Sequence, residues 1–219
     1  MASVSDGSFP VWTASEVIAH FGDIPIARIR TSPAPGHATE AAVIELHEQH
    51  DRLCELIDGT LVEKTMGWRE AELAIIIASL LRNFVSAHRL GKVFGSDGMF
   101  RLEPGQIRIP DVSFISKRRF AGRSVKPSAF WEHGCDLAVE VISPSNTRRE
   151  MERKLSDYFA AGVVLVWLVY LDPQRIVAYN SPTDSVTLRG DDLLDGGAIL
   201  PGFSVPVASI FAELDATDA

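Results

Sequence analysis

The sequence predicts an α/β fold of mixed α+β character, in which a central mixed β-sheet is flanked by helices. Three observations predict it. Two apolar runs joined by Asp58-Gly59 indicate an N-terminal hairpin over residues 53–64, because an Asp-Gly pair favours a tight turn. Residues 68–88 repeat apolar side chains at helical spacing. Residues 137–142 form an unbroken apolar run apart from one acid, which is typical of a strand buried on both faces.

The first part of the chain is the least regular, and residues 1–40 are predicted to form an N-terminal extension packed on the core. Thr13 and Glu16 have the spacing of a capping box, which predicts a short helix. Residues 24–30 resemble a strand, and a second helix is predicted over residues 38–50.

After the hairpin, helices and strands are predicted in an order that suits one layered domain. The helix over residues 68–88 ends before a glycine, and a later helix over residues 147–161 also ends at one. The predicted strands cover residues 92–102, 106–116, 137–142, 163–171 and 175–180, with small β additions near 186–189 and 201–203. A turn or bulge at Asp97-Gly98 stays open within the first of them. A basic loop is expected over residues 117–133. The domain is therefore placed at residues 41–212, with a C-terminal tail at 213–219.

Composition restricts the class of protein. The 219 residues are 46% hydrophobic and 23% charged, as in an ordinary globular domain. The first ten residues lack a signal-peptide pattern, no apolar run is long enough to span a bilayer, and the two cysteines have no metal-knuckle spacing. We therefore predict a cytoplasmic protein without a membrane partner. The net charge of −8 opposes indiscriminate binding of polyanions, although basic residues gather between positions 101 and 154 and leave an anionic substrate possible.

Two acidic residues interrupt apolar, strand-like runs. Glu140 lies between Val139 and Val141, and Asp111 lies in an earlier run whose strand could be its neighbour. A carboxylate in such a run is costly unless something pairs with it. One Mg²⁺ ion would explain both acids, because this ion takes a few carboxylates together with water and phosphate oxygens. For Asp111, capping a strand end or binding Arg108 are the competing explanations.

A lysine on the helix that follows the second acid is a candidate partner for the pair. Glu150, Lys154 and Tyr158 line one stripe of the predicted helix, so Lys154 would point towards the carboxylates if that helix covers the sheet. Such a lysine would stabilise negative charge in a phosphoryl-transfer transition state. The simpler explanations are that Glu150 completes a capping box with Thr147, and that Glu150 and Lys154 form an exposed ion pair worth roughly a few tenths of a kcal/mol.

Other polar residues carry weaker signals. Glu55 also lies in an apolar run, where it would be a third acid or a hydrogen-bond acceptor for a neighbour, and the supporting role is favoured. His47 and His50 are one turn apart on a predicted helix, a spacing more typical of a solvated face. The sequence has no P-loop, dinucleotide fingerprint or nucleophile elbow, so no organic cofactor is expected.

Four segments, in this order, resemble the Uma2 family, which is similar to restriction endonuclease-like PD-(D/E)xK nucleases. They are residues 54–59, 108–112, 136–145 and 154–158, and the resemblance covers about residues 40–212. It implies a restriction endonuclease-like core, with Asp111 and Glu140 as ligands of Mg²⁺ or Mn²⁺. The parent nuclease pattern has a lysine two residues after the second acid, where this chain has Ile142. The Uma2 pattern places the lysine on the next helix, where Lys154 matches it, with Glu150 at its preceding acidic position.

The resemblance implies a Mg²⁺-dependent DNA endonuclease that hydrolyses phosphodiester bonds and acts as a homodimer, with one site for each strand. Asp111, Glu140 and Lys154 are the predicted catalytic residues, and Glu55 and Glu150 are predicted to support them. An RNA or structured-DNA substrate stays open. The alternative is a catalytically inactive nuclease-fold module that binds nucleic acid or protein, which the acidic net charge and the displaced lysine favour.

Overall fold

The computed structural model describes residues 12–22, 24–121 and 128–216 of the chain. Its helices are α1 (Ala14–Phe21), α2 (Glu40–His50), α3 (Trp68–Ala87), α4 (Lys117–Phe120), α5 (Arg148–Ala160) and α6 (Val207–Asp215). Its strands are β1 (Cys54–Ile57), β2 (Thr60–Glu63), β3 (Gly91–Phe94), β4 (Phe100–Glu103), β5 (Gln106–Arg108), β6 (Val112–Ser116), β7 (Leu137–Ile142), β8 (Leu165–Tyr170), β9 (Arg175–Ser181), β10 (Asp184–Leu188), β11 (Leu193–Gly196) and β12 (Leu200–Pro206).

A six-stranded sheet in the order β10-β9-β8-β7-β6-β3 forms the centre of the protein. Strands β7 and β8 are parallel, and the other neighbours in this sheet are antiparallel. The predicted central mixed sheet with flanking helices is therefore confirmed. A second sheet has the order β2-β1-β5-β4 and contains the predicted hairpin, while β11 and β12 pair separately near the C-terminal end.

Strand β7 contributes to both apolar layers of the central sheet, because successive side chains of a strand point to opposite faces. Val139 enters a cluster that includes Ile77 of α3 and Trp167 of β8. Ala138 enters the opposite cluster, which includes Leu155 of α5. The acid at position 140 has the same parity as Ala138, so it faces α5. The predicted burial of this strand on both faces is confirmed.

Two long strands predicted from the sequence are each divided in the structure. Residues 92–102 form β3 and β4, and residues 106–116 form β5 and β6, with one half of each in either sheet. The division of the first pair falls at the turn or bulge that the sequence left open at Asp97-Gly98, where the Gly98 amide donates to the Gly95 carbonyl. The prediction of one undivided strand over residues 106–116 is wrong, because Pro110 lacks the amide hydrogen that a ladder needs. Asp111 therefore lies in the junction just before β6, where the chain passes from one sheet to the other.

The N-terminal segment combines one confirmed helix with one wrong prediction. Helix α1 has the predicted capping box, in which the Glu16 amide donates to the Thr13 hydroxyl at 3.3 Å. The strand predicted over residues 24–30 is instead a 3₁₀ turn at Ile26–Arg28 followed by a single bridge from Ile29. Pro25, directly before the turn, is poorly suited to a paired strand. The parts of the predicted extension, basic loop and tail at 1–11, 122–127 and 217–219 lie outside the described residues.

Helix α6 was not predicted from the sequence, although its apolar residues have helical spacing. Val207, Ile210, Phe211 and Leu214 are buried in the cluster that also contains residues of α3. The helix continues across residue 212, which the sequence reading proposed as the end of the domain. The apolar stripe explains why the chain closes one face of the central sheet at this point.

Candidate active site

Asp111 and Glu140 are brought together by the pairing of β6 with β7. Val112 lies opposite Val139 in this antiparallel ladder, and the Asp111 amide donates to the Val139 carbonyl at 3.0 Å. Extending the register by one residue puts Asp111 beside Glu140, and both residues are 4% exposed. The prediction that the two acids belong to neighbouring strands agrees with this pairing.

Lys154 reaches Glu140 from α5, which covers this face of the sheet. Its Nζ lies 3.0 Å from Glu140 Oε2 and 3.1 Å from Glu55 Oε1. The Tyr158 hydroxyl, one helical turn further on, donates to Glu140 Oε1 at 2.5 Å. Lys154 is buried, so the alternative of an exposed ion pair with Glu150 is wrong. The stripe predicted from helical spacing does face the carboxylates.

Arg108 links the small sheet to α5 beneath these residues. Its NH1 group donates to Glu55 Oε2 at 2.8 Å, and its Nε donates to Asp157 Oδ2 at 3.0 Å. Glu55 Oε1 also accepts the Ile109 amide at 3.1 Å. The alternative that Arg108 binds Asp111 is therefore wrong, because its ion pairs are with Glu55 and Asp157. Glu55 is the hydrogen-bond acceptor that the sequence favoured.

Lys64, to which the sequence gave no role, is the residue in contact with Asp111. It follows β2 directly, and its Nζ lies 2.8 Å from Asp111 Oδ1. The same ammonium donates to the carbonyls of Ile109 at 2.8 Å and Ser96 at 3.2 Å. The other carboxylate oxygen, Asp111 Oδ2, accepts the Val141 amide at 2.7 Å. Nothing in the local sequence marks this lysine, since its partner is far away in the chain.

Glu150 has a role at the start of α5, away from direct contact with the other acids. It completes the predicted capping box with Thr147. Its carboxylate also accepts two hydrogen bonds from the guanidinium of Arg28, at 3.1 and 2.8 Å, and both side chains are buried. Arg28 was missed by sequence reasoning because it lies in the irregular N-terminal segment. The pair ties that segment to the helix that carries Lys154.

Glu140 is the carboxylate of the cluster whose negative charge is least well compensated. Burial raises the pKa of Glu140, and the nearby carboxylates of Asp111 and Glu55 raise it further, against the effect of Lys154. The pKa of Glu55 is lowered to about 2, because Lys154 and Arg108 together outweigh its burial. The pKa of Lys154 is raised, since its two acids outweigh burial, so it stays protonated.

A count of charges agrees with this. The carboxylates of Glu55, Asp111, Glu140 and Asp157 meet the cations of Lys64, Arg108 and Lys154. With all four carboxylates ionised, the negative charges exceed the positive charges by one, and Asp157 is the partly exposed member at 15%. Because an excess buried charge is strongly unfavourable, either a proton on Glu140, whose pKa is raised, or a further cation would relieve it.

The donor set suits Mg²⁺ in its chemistry. Asp111 and Glu140 offer hard oxygen ligands from two strands, and Mg²⁺ usually takes one or two carboxylates with water and phosphate completing the shell. Each of their four oxygens already accepts a protein donor, but a carboxylate oxygen can accept a second partner. Within residues 12–22, 24–121 and 128–216, no three His, Cys, Asp or Glu side chains form a group able to hold a metal ion by themselves. Water or substrate would have to complete such a site.

A groove of about 360 Å³ between α1 and α5 opens onto the edge of the cluster. Its lining includes the cations Arg108, Arg149 and Arg153 together with the acid Glu150. Arg153 is paired with Asp58. The groove beside Arg108 is therefore partly basic, while Asp111 and Glu140 are not among its lining residues.

Comparison with known proteins decides the family. A family model described as "Putative restriction endonuclease" matches residues 41–208. The chain belongs to the Uma2 family. The fold is similar, with a TM-score of 0.66, to the crystal structure of a "putative nuclease belonging to DUF820" from Anabaena variabilis. The two are 17% identical, and the match covers 75% of this chain and 92% of that chain, so it supports the fold alone. No curated protein matches.

The Uma2 match confirms the resemblance found in the sequence. It begins after the N-terminal segment, so Arg28 lies outside the matched region and Glu150 inside it. The buried contact between them therefore joins a segment outside the family match to the Uma2 domain. No helix among the described residues is both long and apolar enough to cross a membrane.

Proposed function

We propose that this Uma2 protein is a Mg²⁺-dependent endonuclease that hydrolyses phosphodiester bonds in DNA. The observation that carries the proposal is the pair of buried carboxylates of Asp111, just before β6, and Glu140, on the adjacent β7, with Lys154 Nζ 3.0 Å from the second. Perturbed, buried ionisable groups of this kind are typical of functional sites. Membership in a family described as "Putative restriction endonuclease" supports the reaction class.

Each residue of the cluster has a distinct part in the proposed reaction. Asp111 and Glu140 would hold Mg²⁺, or Mn²⁺, which when bound would polarise the phosphate and lower the pKa of the attacking water. Lys154 would place its positive charge against the negative charge that develops on the scissile phosphate. Glu55 is a second carboxylate partner of the Lys154 ammonium, at 3.1 Å, and so helps to fix its position. Glu150 fixes the first turn of α5.

We also propose that the enzyme is a homodimer in which each protomer cleaves one strand. This part rests on the resemblance to restriction-like nucleases, which cut duplexes in that way. Light scattering on the purified protein would give the mass of the assembly, and a monomer at working concentration would contradict it.

The proposed activity is tested by Asp111→Asn and Glu140→Gln, each assayed for cleavage of supercoiled and linear DNA with Mg²⁺, Mn²⁺ or EDTA. Cleavage that needs the divalent ion and is lost in both variants is the expected result. The matched control is Glu152→Gln, which removes an exposed acid of α5 that faces Arg148. Full activity in both site variants would sink the assignment. Labelled RNA in the same assay decides between the two nucleic acids.

A second function is favoured by one specific observation, the ion pair between Lys64 and Asp111. An internal ammonium already occupies one side of the carboxylate that a metal would need. A non-catalytic module that binds nucleic acid or protein needs no metal at Asp111, so in such a module the ion pair with Lys64 would simply stabilise the fold. Calorimetric titration with Mg²⁺ and Mn²⁺ distinguishes the endonuclease from the non-catalytic module, because the absence of metal binding at Asp111 and Glu140 would favour the module.

A further inference from the structure

Five exposed cations gather at the end of the central sheet where β3 begins and β6 ends. They are Arg82, Arg89, Lys92, Lys117 and Arg118. The backbone brings their elements together, since Lys92 lies opposite Ile115 in the ladder and the Lys117 amide donates to the Leu90 carbonyl at 2.8 Å. We call these five residues the basic end.

The basic end is separate from the carboxylate cluster. Asp111 and Lys117 are six residues apart along β6, and a strand rises about 3.3 Å per residue, so roughly 20 Å separates them. None of the five side chains pairs with the acids described above. Substitutions at the basic end can therefore change charge without changing the groups proposed to hold a metal.

No carboxylate among the described residues lies close enough to neutralise the cations of the basic end. None of its five cations forms an ion pair with another described residue. Elsewhere on the surface, Arg52 and Arg148 each face a carboxylate at 3.0 and 2.7 Å. Although the chain has a net charge of −8, this local excess of positive charge creates a positive electrostatic potential that attracts an anion.

A simpler explanation, protection of the sheet edge from pairing with another chain, accounts for only one of the five cations. Strand β3 is the edge of the six-stranded sheet, and an exposed lysine such as Lys92 protects an edge from pairing with another chain. The arginines at 82 and 89 and the pair at 117 and 118 lie outside that strand, so edge protection does not account for them. A groove of about 340 Å³ also opens here, with Arg82, Ser86 and Lys92 among its lining residues.

We propose that the basic end is a docking surface for the phosphate backbone of nucleic acid, distinct from the cleavage site. The choice of DNA as ligand rests on the proposed function, and the chemistry is that of cations neutralising successive phosphates without reading bases. The Lys92 ammonium lies 5.6 Å from the centre of the Phe120 ring, which limits its freedom and favours a fixed contact point. This surface explains how an acidic protein retains DNA.

Binding of a short labelled duplex, followed by fluorescence anisotropy in EDTA over about 50 to 200 mM salt, tests the proposal. All proteins carry Asp111→Asn, so no cleavage intervenes. The variant is Lys92→Gln with Lys117→Gln, and the control is Arg52→Gln with Arg148→Gln, which changes the net charge equally. Each lost phosphate contact lowers the slope of log K against log salt by about 0.9, so the variant should lose about 1.8 and the control much less.

Two results would overturn the docking surface. One is a variant whose affinity and salt slope equal those of the control, and the other is a parent protein that fails to bind the duplex at the lowest salt. Each single substitution is measured beside the pair, and the expected slope change is then about 0.9, so a poorly folding double variant still leaves a test. Mg²⁺-dependent cleavage by the otherwise native variant at saturating DNA is assayed separately, so that failure of docking is distinguished from failure of the nuclease.

Discussion

Lys64 holds its ammonium 2.8 Å from Asp111 Oδ1, on the carboxylate that we assign to the metal. The contact is buried on both sides, and the lysine is fixed by two backbone carbonyls as well. In this arrangement the protein supplies its own cation at the carboxylate proposed to hold Mg²⁺. A metal ion bound there would be repelled by the lysine ammonium.

Lys64→Met should raise the affinity for Mn²⁺. Two unit charges about 4 Å apart interact by about 4 kcal/mol at an effective dielectric of 20, so even partial relief of repulsion gives about a tenfold gain or more. Isothermal titration calorimetry measures it, with Lys92→Met as the control because that lysine is exposed and distant. An unchanged dissociation constant would mean that no metal binds at Asp111.

Tyr158→Phe should shift the pH dependence of cleavage. The hydroxyl donates to Glu140 Oε1, which favours the charged carboxylate, so its removal raises the pKa of Glu140 further above its ordinary value. The acid limb of the rate profile then moves to higher pH, because more alkaline solution is needed to ionise the ligand. The buried oxygen left without its donor costs about 1–3 kcal/mol of unfolding free energy in urea.

The control for that experiment is Tyr170→Phe, a partly exposed tyrosine on β8 that stacks on Arg175. Its pH profile should match that of the parent protein. If Tyr158→Phe loses stability while its acid limb stays in place, the hydroxyl has a structural part only, and its proposed effect on Glu140 is contradicted.

The parts of the site that follow from local periodicity were predictable. The apolar run around Glu140 gave a buried strand, and the capping box at Thr147 set the start of α5. Once the phase of that helix is known, Lys154 and Tyr158 must share a stripe. Both indeed contact Glu140. The local sequence was sufficient here because the burial of β7, the start of α5 and the stripe on α5 each depend on residues within a few positions of one another.

The contacts made by Lys64, Arg108 and Arg28 were beyond such rules. Arg108 meets Glu55 across 53 positions and Arg28 meets Glu150 across 122. Such pairs depend on how the small sheet and the N-terminal segment pack on α5, which no spacing in the sequence encodes. The division of the predicted strand before Asp111 has a local cause in Pro110, but the passage of the chain from one sheet to the other depends on how the two sheets pack.

Glu55→Gln should destabilise the protein in a pH-dependent manner. The folded pKa of Glu55 is about 2, against an ordinary value of 4.5, so its ionised form contributes on the order of 3 kcal/mol of unfolding free energy at neutral pH. Because the folded pKa is the lower one, this contribution is fully present above about pH 4.5 and is lost as the pH falls towards 2. The difference between parent and variant should therefore be large at neutral pH and shrink in acid.

Urea unfolding at about pH 7 and again at about pH 3, within the window where the Glu55 contribution declines, measures that difference. Glu63→Gln is the control, because this acid lies near the surface and faces the half-exposed side chain of Arg30 and the exposed side chain of Arg52. A Glu55→Gln difference that is the same at both pH values would contradict the ionised state assigned to Glu55.

Arg28→Met should destabilise the protein by about 3–5 kcal/mol, because it leaves the buried carboxylate of Glu150 without its charge partner. Arg30→Met is a close control, since Arg30 is half-exposed and pairs with Glu63, and its loss should cost about 1 kcal/mol or less. Adding Glu150→Leu to Arg28→Met removes the stranded charge and should restore much of the stability. Urea unfolding reports all four proteins. If the N-terminal segment merely rests on the Uma2 domain, Arg28→Met and Arg30→Met will lose the same small amount, and the anchoring of α5 by Arg28 is wrong.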